Sequence, residues 1–244
     1  MKKNIIIRLL SVVLVIVLVS CNDDSDDAVT EYDIYGSVSL YDEFGYKTDD
    51  HSMFVTAVNS GPGISGITDV IGVYVIKNVP FGTYKLVFEK EGFGTYVMNN
   101  IKHEDNGYPT RIPVIPLLSE RSTTAVKIVT VETSGDTIFI SMFVDPDAEL
   151  LKDRYVRLFF DEQSSVSDSV YKDYTDKITV NKVPFTQEFL KDHFYEMGFE
   201  PGQKVWFKVY GDSYYSNSYY NDDSVKVFPN LNHDTPPALS FELP

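Results

Sequence analysis

The sequence predicts an all-β protein, made of two β-sandwich domains in tandem with one short helix in the second domain. Apolar and polar residues alternate over many short runs, which is the pattern of a strand with one buried face. Turn-forming Gly, Pro, Asn and Asp residues separate these runs. Aromatic residues make up 14% of the chain, with 17 Tyr and 16 Phe, so there is enough apolar material for two cores.

Residues 1–20 have the composition of an export signal. A basic start, Met-Lys-Lys, precedes an apolar run that is too short to cross a bilayer, which needs about 20 residues. The run ends in Leu18-Val19-Ser20-Cys21, which resembles the bacterial lipobox. That resemblance implies cleavage before Cys21 and lipidation of its thiol. The alternative is an ordinary signal peptide with a chance cysteine, but Cys21 is the single cysteine and cannot form an internal disulfide.

An acidic segment follows the predicted cleavage site. Residues 21–30 include the sequence Asn-Asp-Asp-Ser-Asp-Asp and form a predicted solvated tether. The segment resembles the acidic stretch after the lipidated cysteine in surface-exposed lipoproteins of Bacteroidetes. This resemblance implies a protein that is lipid-anchored in the outer membrane and faces outward. The alternative is a plain spacer in a periplasm-facing lipoprotein.

The charge balance excludes two classes of partner. The whole chain carries a formal net charge of −15. Removing the leader with its three basic residues leaves 18 basic residues against 36 acidic residues. Such a surface repels nucleic acid and anionic lipid headgroups, which both bind to basic patches. We therefore expect no nucleic-acid partner, and contact with the membrane through the lipid anchor.

The predicted first domain, residues 31–119, is centred on residues 69–93. Two apolar runs, residues 73–76 and 84–88, flank the turn-forming sequence Asn-Val-Pro-Phe-Gly. Proline cannot donate to a ladder and glycine accepts positive φ, so we predict a β-hairpin here. Other predicted strands and a glycine-rich loop lie in the following ranges: strands at 34–40, 53–58, 96–101 and 111–117, and the loop at 60–66.

This domain resembles the carboxypeptidase regulatory-like domain, a small transthyretin-like β-sandwich. The matching positions are Gly36, Val38, Asp42, Gly45, Thr68, Asp69, Gly72, Tyr74, Val79, Pro80, Gly82, Tyr84, Leu86, Gly92 and Phe93. The sequence departs from the family pattern over residues 46–67, where a polar, glycine-rich segment replaces the usual compact element. The resemblance implies an accessory module without catalytic residues.

The predicted second domain, residues 120–244, begins with a polar linker. Alternation places Val126, Ile128 and Thr130 on one face of its first strand. Further strands are predicted at residues 138–144, 155–160, 178–183, 204–210 and 224–228. Short strands with frequent turns predict an immunoglobulin-like sandwich.

One turn in this domain is similar to a known sandwich corner. The Pro201-Gly202 turn before an aromatic strand resembles the E–F corner of fibronectin type III-like domains. Trp206 falls one place late for that pattern. The resemblance therefore supports a sandwich without fixing its strand order.

One helix is predicted in the second domain, from Thr186 to Met197. Thr186 can cap its N-terminus, and Gly198 can close its C-terminus. Leu190, Phe194 and Met197 have helical spacing, at i, i+4 and i+7.

No catalytic site is predicted. The histidines are scattered: His51, His103, His193 and His233. None has the spacing of a zinc motif, and the chain has no Gly-x-Ser-x-Gly elbow. Adjacent carboxylates such as Asp161 and Glu162 point to opposite faces of a strand, so they make a poor acid–base pair.

No cofactor is predicted either. Two pairs of aspartates could offer oxygen ligands to calcium: Asp145 with Asp147, and Asp222 with Asp223. The chain lacks the D-x-[DN]-x-[DN]-G loop that would make a calcium site specific. The alternative role for these residues is the capping of turns.

The most unusual local composition is at residues 210–221, YGDSYYSNSYYN. Tyr214, Tyr215, Tyr219 and Tyr220 stand among Ser, Asn and Gly, a mixture typical of antibody binding loops. Tyrosine rings also suit stacking on sugar faces. We predict ligand binding by these four tyrosines. The alternative is that about half of the rings pack on the sandwich while the rest form a flexible loop.

Three short segments resemble the O-glycosylation sequon of exported Bacteroidetes proteins. They are Asp136-Thr137-Ile138, Asp168-Ser169-Val170 and Asp223-Ser224-Val225. The resemblance implies glycan attachment at Thr137, Ser169 and Ser224, most of all at Ser169, which lies in a polar loop. The alternative is chance, because a chain rich in Asp and Ser produces such short motifs at random.

These predictions combine into one functional hypothesis. The protein is expected to be a non-catalytic outer-membrane lipoprotein whose second domain binds glycan or an envelope protein. The alternative is a structural subunit of a surface assembly with no soluble ligand, in which open sheet edges add strands to a partner. An enzyme ranks last because no nucleophile–base pair or metal set is visible in the sequence.

Overall fold

The computed structural model describes residues 30–244. The predicted leader, the predicted lipidation site Cys21 and nearly all of the acidic tether lie outside the described residues. The described chain folds largely into β-strands, with one helix, α1 (Lys191–Glu196). This confirms the predicted all-β class with one short helix in the C-terminal part. No helix within residues 30–244 has the length and apolar character needed to cross a membrane.

Residues 31–119, the N-terminal part, form two facing sheets. The strands are β1 (Glu31–Ser37), β2 (Ser39–Tyr41), β3 (Phe54–Val58), β4 (Ile64–Ile67), β5 (Val73–Pro80), β6 (Gly82–Glu89), β7 (Tyr96–His103), β8 (Thr110–Arg111) and β9 (Leu117–Ser119). One sheet has the order β5-β1-β8, the other has the order β4-β3-β6-β7, and β2 pairs with β9. Inward residues of both sheets, including Ile34, Ile76, Leu86 and Phe88, share one core.

The central stretch does not form the predicted hairpin. β5 pairs with β1, whereas β6 pairs with β3 and β7, so the chain crosses from one sheet to the other at Phe81. Tyr74 of β5 and Phe88 of β6 meet edge to face across the core, with ring centroids 5.8 Å apart. Alternation identified the buried residues correctly. It could not identify the hydrogen-bonding partner of each strand, because a buried face is compatible with several pairings.

Two other predicted elements of the N-terminal part also differ from the structure. The strand expected at residues 111–117 is interrupted, because Pro113 and Pro116 lie between the short strands β8 and β9 and have no N–H to donate. The glycine-rich loop expected at residues 60–66 is shorter, since β4 begins at Ile64 and pairs with β3.

Residues 120–244, the C-terminal part, form a second pair of facing sheets. The strands are β10 (Ala125–Ser134), β11 (Thr137–Asp145), β12 (Arg154–Asp161), β13 (Asp173–Tyr174), β14 (Ile178–Val180), β15 (Phe185–Leu190), β16 (Lys204–Asp212), β17 (Tyr219–Tyr220), β18 (Lys226–Val227) and β19 (Leu239–Glu242). One sheet has the order β10-β11-β15, and the other has the order β13-β12-β16-β19 with β14 also paired to β12. Ile140, Leu158, Phe160 and Phe207 belong to the core between them.

The predicted helix is wrong over its first half. Thr186 does not cap a helix but lies in β15, where its hydroxyl is 2.7 Å from the Ser141 Oγ on β11. The helix begins only at Lys191, and Gly198 follows its end with a φ of 80°, as predicted. Phe189 is buried in the sandwich core from β15. Residues 185–190 therefore pair with the open edge of β11 instead of forming the first turns of a helix. A short helix has little stability of its own, so the hydrogen bonds to β11 decide the structure of this segment.

A bulge reverses part of the predicted buried face of β10. The register with β11 shifts between Val126 and Ile128. Val126 is buried, but beyond the shift Val129 and Val131 pack on the core and Ile128 is 53% exposed. The predicted common face of Val126, Ile128 and Thr130 is therefore wrong, because the extra residue of a bulge inverts the alternation that follows it.

Candidate functional site

The hairpin β17–β18 of the C-terminal part overhangs one sheet of the N-terminal part and encloses a groove. β17 contacts β7, the edge strand of that sheet. The groove has a volume of about 580 Å³. Asparagines and tyrosines dominate its lining, namely Asn59, Asn99, Asn100 and Asn221 with Tyr84 and Tyr220.

The sheet wall of the groove is shaped by a bulge in β7. The register between β6 and β7 shifts between Tyr84 and Leu86, so that Asn99 and Asn100 both lie opposite Lys85. Asn100 has a φ of 59°, a left-handed conformation that asparagine tolerates better than most residues. Both asparagines line the groove because the bulge interrupts the strict alternation of faces.

Tyr84 lies beneath this wall and belongs to the core of the N-terminal part. Its side chain is buried, and its hydroxyl donates to the carbonyl of Pro80 at 2.8 Å. Burial raises the pKa of the Tyr84 hydroxyl. The hydroxyl therefore stays protonated at neutral pH and acts as a structural donor.

The opposite wall is the turn between β17 and β18. The Asn221 Oδ1 accepts hydrogen bonds from the N–H groups of Asp223 and Val225, at 3.0 and 2.9 Å. These bonds mimic a backbone turn and fix the shape of the wall. Ser224 takes a φ of 60° within the turn, and its exposed side chain lines the groove.

Two polar contacts hold the turn to the sheet. The Asn99 Nδ2 donates to the carbonyl of Tyr220 at 2.6 Å, and Lys85 forms an ion pair with Asp222. Both charged groups of the pair are largely exposed, so the pair contributes little to stability. Within the described residues, Lys85 and Asp222 are the two charged side chains of the groove lining, so their charges balance.

Several polar groups of the groove remain free to bind a ligand. Within residues 30–244, no hydrogen bond occupies the side-chain amide of Asn100 or the Nδ2 groups of Asn59 and Asn221. Tyr220 adds a ring that is 57% exposed. A neutral surface that combines free amides with an exposed tyrosine suits a ligand with hydroxyl groups and apolar ring faces. Sugars have this chemistry.

Two of the four predicted binding tyrosines pack between the two parts of the chain. The ring of Tyr214 covers Gly45, and the Nζ of Lys177 lies 3.8 Å from its centroid. Burial lowers the pKa of Lys177, although its ammonium group faces this aromatic ring. The ring of Tyr215 lies 4.7 Å from that of Tyr41. Both rings therefore contact residues of the N-terminal part, and Tyr214 is still 40% exposed.

The other two tyrosines belong to β17. The ring of Tyr219 packs edge to face on Tyr96 at 6.2 Å and anchors the hairpin to β7. Tyr220, the next residue along the strand, points the other way and lines the groove. The structure therefore brings one of the four predicted tyrosines, Tyr220, into the groove.

The three predicted glycosylation sites differ in exposure. Ser169 is exposed in the loop after β12, and Ser224 is exposed in the groove turn. Thr137 is half-buried at the first position of β11. Attachment of glycan at these residues stays a prediction.

The histidines do not form a shared site in the described chain. His103 is buried, with its ring nitrogens 2.7 Å from the Thr110 hydroxyl and 2.8 Å from the Val79 carbonyl, so it links β7 to β8 and β5. His233 lies 3.0 Å from Asp168 on the surface. Residues 30–244 contain no group of three or more His, Cys, Asp or Glu side chains placed to hold a metal ion.

The sequence prediction missed the asparagines of the groove. Asn59 follows β3, Asn99 and Asn100 lie in β7, and Asn221 lies in the hairpin turn, so the set is assembled only by the tertiary fold. One local signal was present. Two adjacent asparagines interrupt the apolar pattern of β7 at the position of the register shift.

Comparisons with known proteins give no family assignment. No family model matches the chain, and no curated protein matches it. Three similar solved structures each cover 88% of this chain and 100% of their own chain. They are a Bacteroides uniformis protein provisionally described as carbohydrate binding (15% identity, TM-score 0.33), and DUF3823 family proteins from Parabacteroides merdae (10%, 0.32) and Bacteroides ovatus (12%, 0.29). These TM-scores are too low to support an argument about function.

Proposed function

We propose that this chain is a non-catalytic glycan-binding protein and that the groove between β7 and the β17–β18 hairpin is its binding site. The observation that carries the proposal is the convergence of free asparagine amides around the exposed ring of Tyr220. Amides donate and accept hydrogen bonds at the same position, as a sugar hydroxyl does. The tyrosine ring offers an apolar face on which a pyranose ring can stack.

The expected affinity is modest. Each neutral hydrogen bond contributes about 0.5–1.5 kcal/mol net, because the same groups are solvated by water in the free protein. The bulge in β7 and the Asn221 turn hold the groove residues in place before the ligand arrives. Such preorganisation reduces the entropy lost on binding, which favours specificity despite the small number of contacts.

Lipidation of Cys21 and an outward-facing position on the outer membrane are part of the proposal. The acidic tether would then separate the β-sandwiches from the bilayer, with the groove accessible to extracellular glycans. Labelling of cells with an alkyne fatty acid should mark the wild-type protein, and Cys21→Ser should lose the label and the membrane association. A Cys21→Ser protein that still carries the label would contradict lipidation at this position.

Binding should depend on Tyr220 and Asn100. We expect full-length protein, purified in detergent, to bind at least one neutral polysaccharide in affinity electrophoresis. Tyr220→Ala should weaken this binding at least tenfold, because the stacking face is lost. Asn100→Gly should weaken it several-fold, since glycine keeps the positive φ but removes the amide.

Matched control variants separate binding from folding. Tyr108→Ala removes another exposed tyrosine, and Asn78→Gly removes another positive-φ asparagine, both outside the groove. Both should bind as the wild type does. Equal losses in the groove and control variants would argue against the groove as the site. Absence of binding to every neutral and acidic polysaccharide would remove the glycan proposal itself.

A further inference from the structure

We propose that the binding site continues beyond the groove, along the outer face of the β4-β3-β6-β7 sheet, to an aromatic platform at Phe54. This inference rests on the proposed function and names its ligand class. The ligand would be an extended, neutral oligosaccharide of several linked rings. A monosaccharide or a short end group would occupy the groove alone.

The register of the sheet places the groove and Phe54 on one face. Phe54, Thr56 and Val58 alternate along β3 with the buried residues Val55 and Ala57, so all three face outward. Val58 lines the groove at one end of this row. Phe54 stands at the other end.

The middle of this face combines hydroxyl groups with an apolar floor. The Thr56 Oγ1 lies 2.9 Å from the Ser65 Oγ of the neighbouring strand, with Ser65 exposed and Thr56 half-buried. On the other side of Thr56, Val87 and Val97 lie opposite each other and are half-buried. A sugar ring placed here would meet hydroxyl partners at one edge and aliphatic carbons beneath it.

The far end of the face is apolar and unusually exposed. Phe54 is 53% exposed, and Ile67, its direct neighbour on β4, is 51% exposed. With Val73 and Val75 they line a shallow depression of about 550 Å³ at the edge of the sandwich. An exposed aromatic ring on a sheet face is a stacking platform of the same kind as Tyr220.

The length of this sheet face and the charges along it indicate which class of ligand would bind there. Val58 lies four positions after Phe54 in β3, which is about 13 Å at 3.3 Å per residue and longer than a single sugar ring. Glu89 lies opposite Phe54 and Asp69 lines the depression, whereas Lys85 is already paired with Asp222. An acidic polymer would meet repulsion along this face, so the geometry favours a neutral chain.

The test is a chain-length series measured by isothermal titration calorimetry on the full-length protein in detergent. The probes are cello-, xylo-, manno- and malto-oligosaccharides from two to six units, with oligogalacturonates as acidic probes. For the neutral series that binds, affinity should rise at least tenfold from the shortest to the longest member. Oligogalacturonates should bind more weakly than neutral chains of equal length.

Variants of Phe54 test whether the rise in affinity with chain length depends on the aromatic platform. Phe54→Ala should abolish the length dependence and leave the affinity for the disaccharide unchanged, whereas Phe54→Trp should preserve both. Tyr220→Ala should weaken binding at every length. This contrast separates the two proposals, because Tyr220 tests the groove and Phe54 tests its extension.

Four outcomes would overturn the extension. Affinity could be independent of chain length, or Phe54→Ala could weaken short and long chains equally. Oligogalacturonates could bind more tightly than neutral chains. Phe54→Ala could instead abolish self-association in size-exclusion chromatography without changing the length series, which would assign Phe54 to a contact between copies. If the wild-type protein binds none of the oligosaccharides, the proposed function is overturned as well.

Discussion

Replacing Arg157 with methionine should lower the free energy of unfolding by about 3–5 kcal/mol, because Asp212 is then left buried without its cation. The side chains of Arg157 and Asp212 are 6% and 0% exposed, and the Arg157 Nε lies 3.0 Å from the Asp212 Oδ2. The guanidinium group also donates to the Thr175 carbonyl at 2.6 Å and to the Ser216 hydroxyl at 2.9 Å. It stacks on Phe228 at 4.3 Å from the ring centroid.

This network ties the central strands to the segment that leads to the groove. Arg157 is in β12 and Asp212 ends β16. Ser216 lies four residues after Asp212 and three residues before the β17–β18 hairpin. Methionine fills part of the arginine volume, so most of the expected loss comes from the unpaired carboxylate rather than from a cavity. We therefore expect the groove to lose order together with the C-terminal core.

Urea denaturation at neutral pH would measure the effect. The variant Asp212→Asn and the double variant complete a double-mutant cycle, in which the loss for the double variant should be smaller than the sum of the single losses. Lys127→Met is the matched control, since its ion pair with Asp234 is exposed, and it should change the stability little. A loss of less than about 1 kcal/mol for Arg157→Met would show that the buried pair does not hold these strands together.

The period-two pattern predicted individual strands well because it reports burial directly. Ile138, Ile140, Met142 and Val144 alternate as expected in β11, and β12, which is rich in apolar residues, is buried on both faces. The same pattern could not distinguish a hairpin from a crossing between sheets at Phe81. That choice depends on which strands approach from elsewhere in the chain, and a local pattern contains no such information.

The first half of the predicted helix was wrong for a related reason. Leu190 and Phe194 have helical spacing, but the segment before Lys191 also alternates, and β11 offers it an open edge. The spacing of the apolar residues was equally compatible with a helix and with a strand. Tertiary hydrogen bonding decided between them, as it often does for short apolar runs.

The groove could be predicted only in part. The tyrosine-rich composition drew attention to the right segment, and Tyr220 lines the groove. Composition could not show that Gly45, Tyr41 and Tyr96 lie under the other three tyrosines, since those residues are distant in sequence. The groove amides come from three separate segments for the same reason. A bulge and a turn, each a local departure from regular structure, bring them together.

Asn230 should be the second large contributor to stability, because its side chain joins the two parts of the chain. Asn230 is fully buried and accepts the N–H of Gly94 at 2.9 Å. Its Nδ2 donates to the carbonyls of Tyr215 at 2.7 Å and Ser119 at 3.1 Å. The neighbouring Asn217 also bonds Ser119 and Gly94, so the two amides form one buried network.

Asn230→Ala should lower the free energy of unfolding by about 3 kcal/mol, since the Gly94 N–H and the Tyr215 carbonyl would lose their partner inside the protein. Asn106→Ala is the matched control, because Asn106 is exposed in a turn, and it should change the stability by less than about 0.5 kcal/mol. Urea denaturation would compare the two variants under the same conditions.

Hydrogen exchange would show whether the loss of stability in Asn230→Ala arises from this network of buried amides. Glu31–Pro244 forms one compact unit, so the wild type should unfold in a single transition. In Asn230→Ala the Gly94 amide should exchange faster than amides in either core, and the unfolding transition should broaden as the two parts lose their coupling. Unchanged exchange at Gly94 together with wild-type stability would mean that the buried amides do not couple the two parts. The groove would then have to be held by the Tyr96–Tyr219 packing and the Asn99 hydrogen bond to the Tyr220 carbonyl.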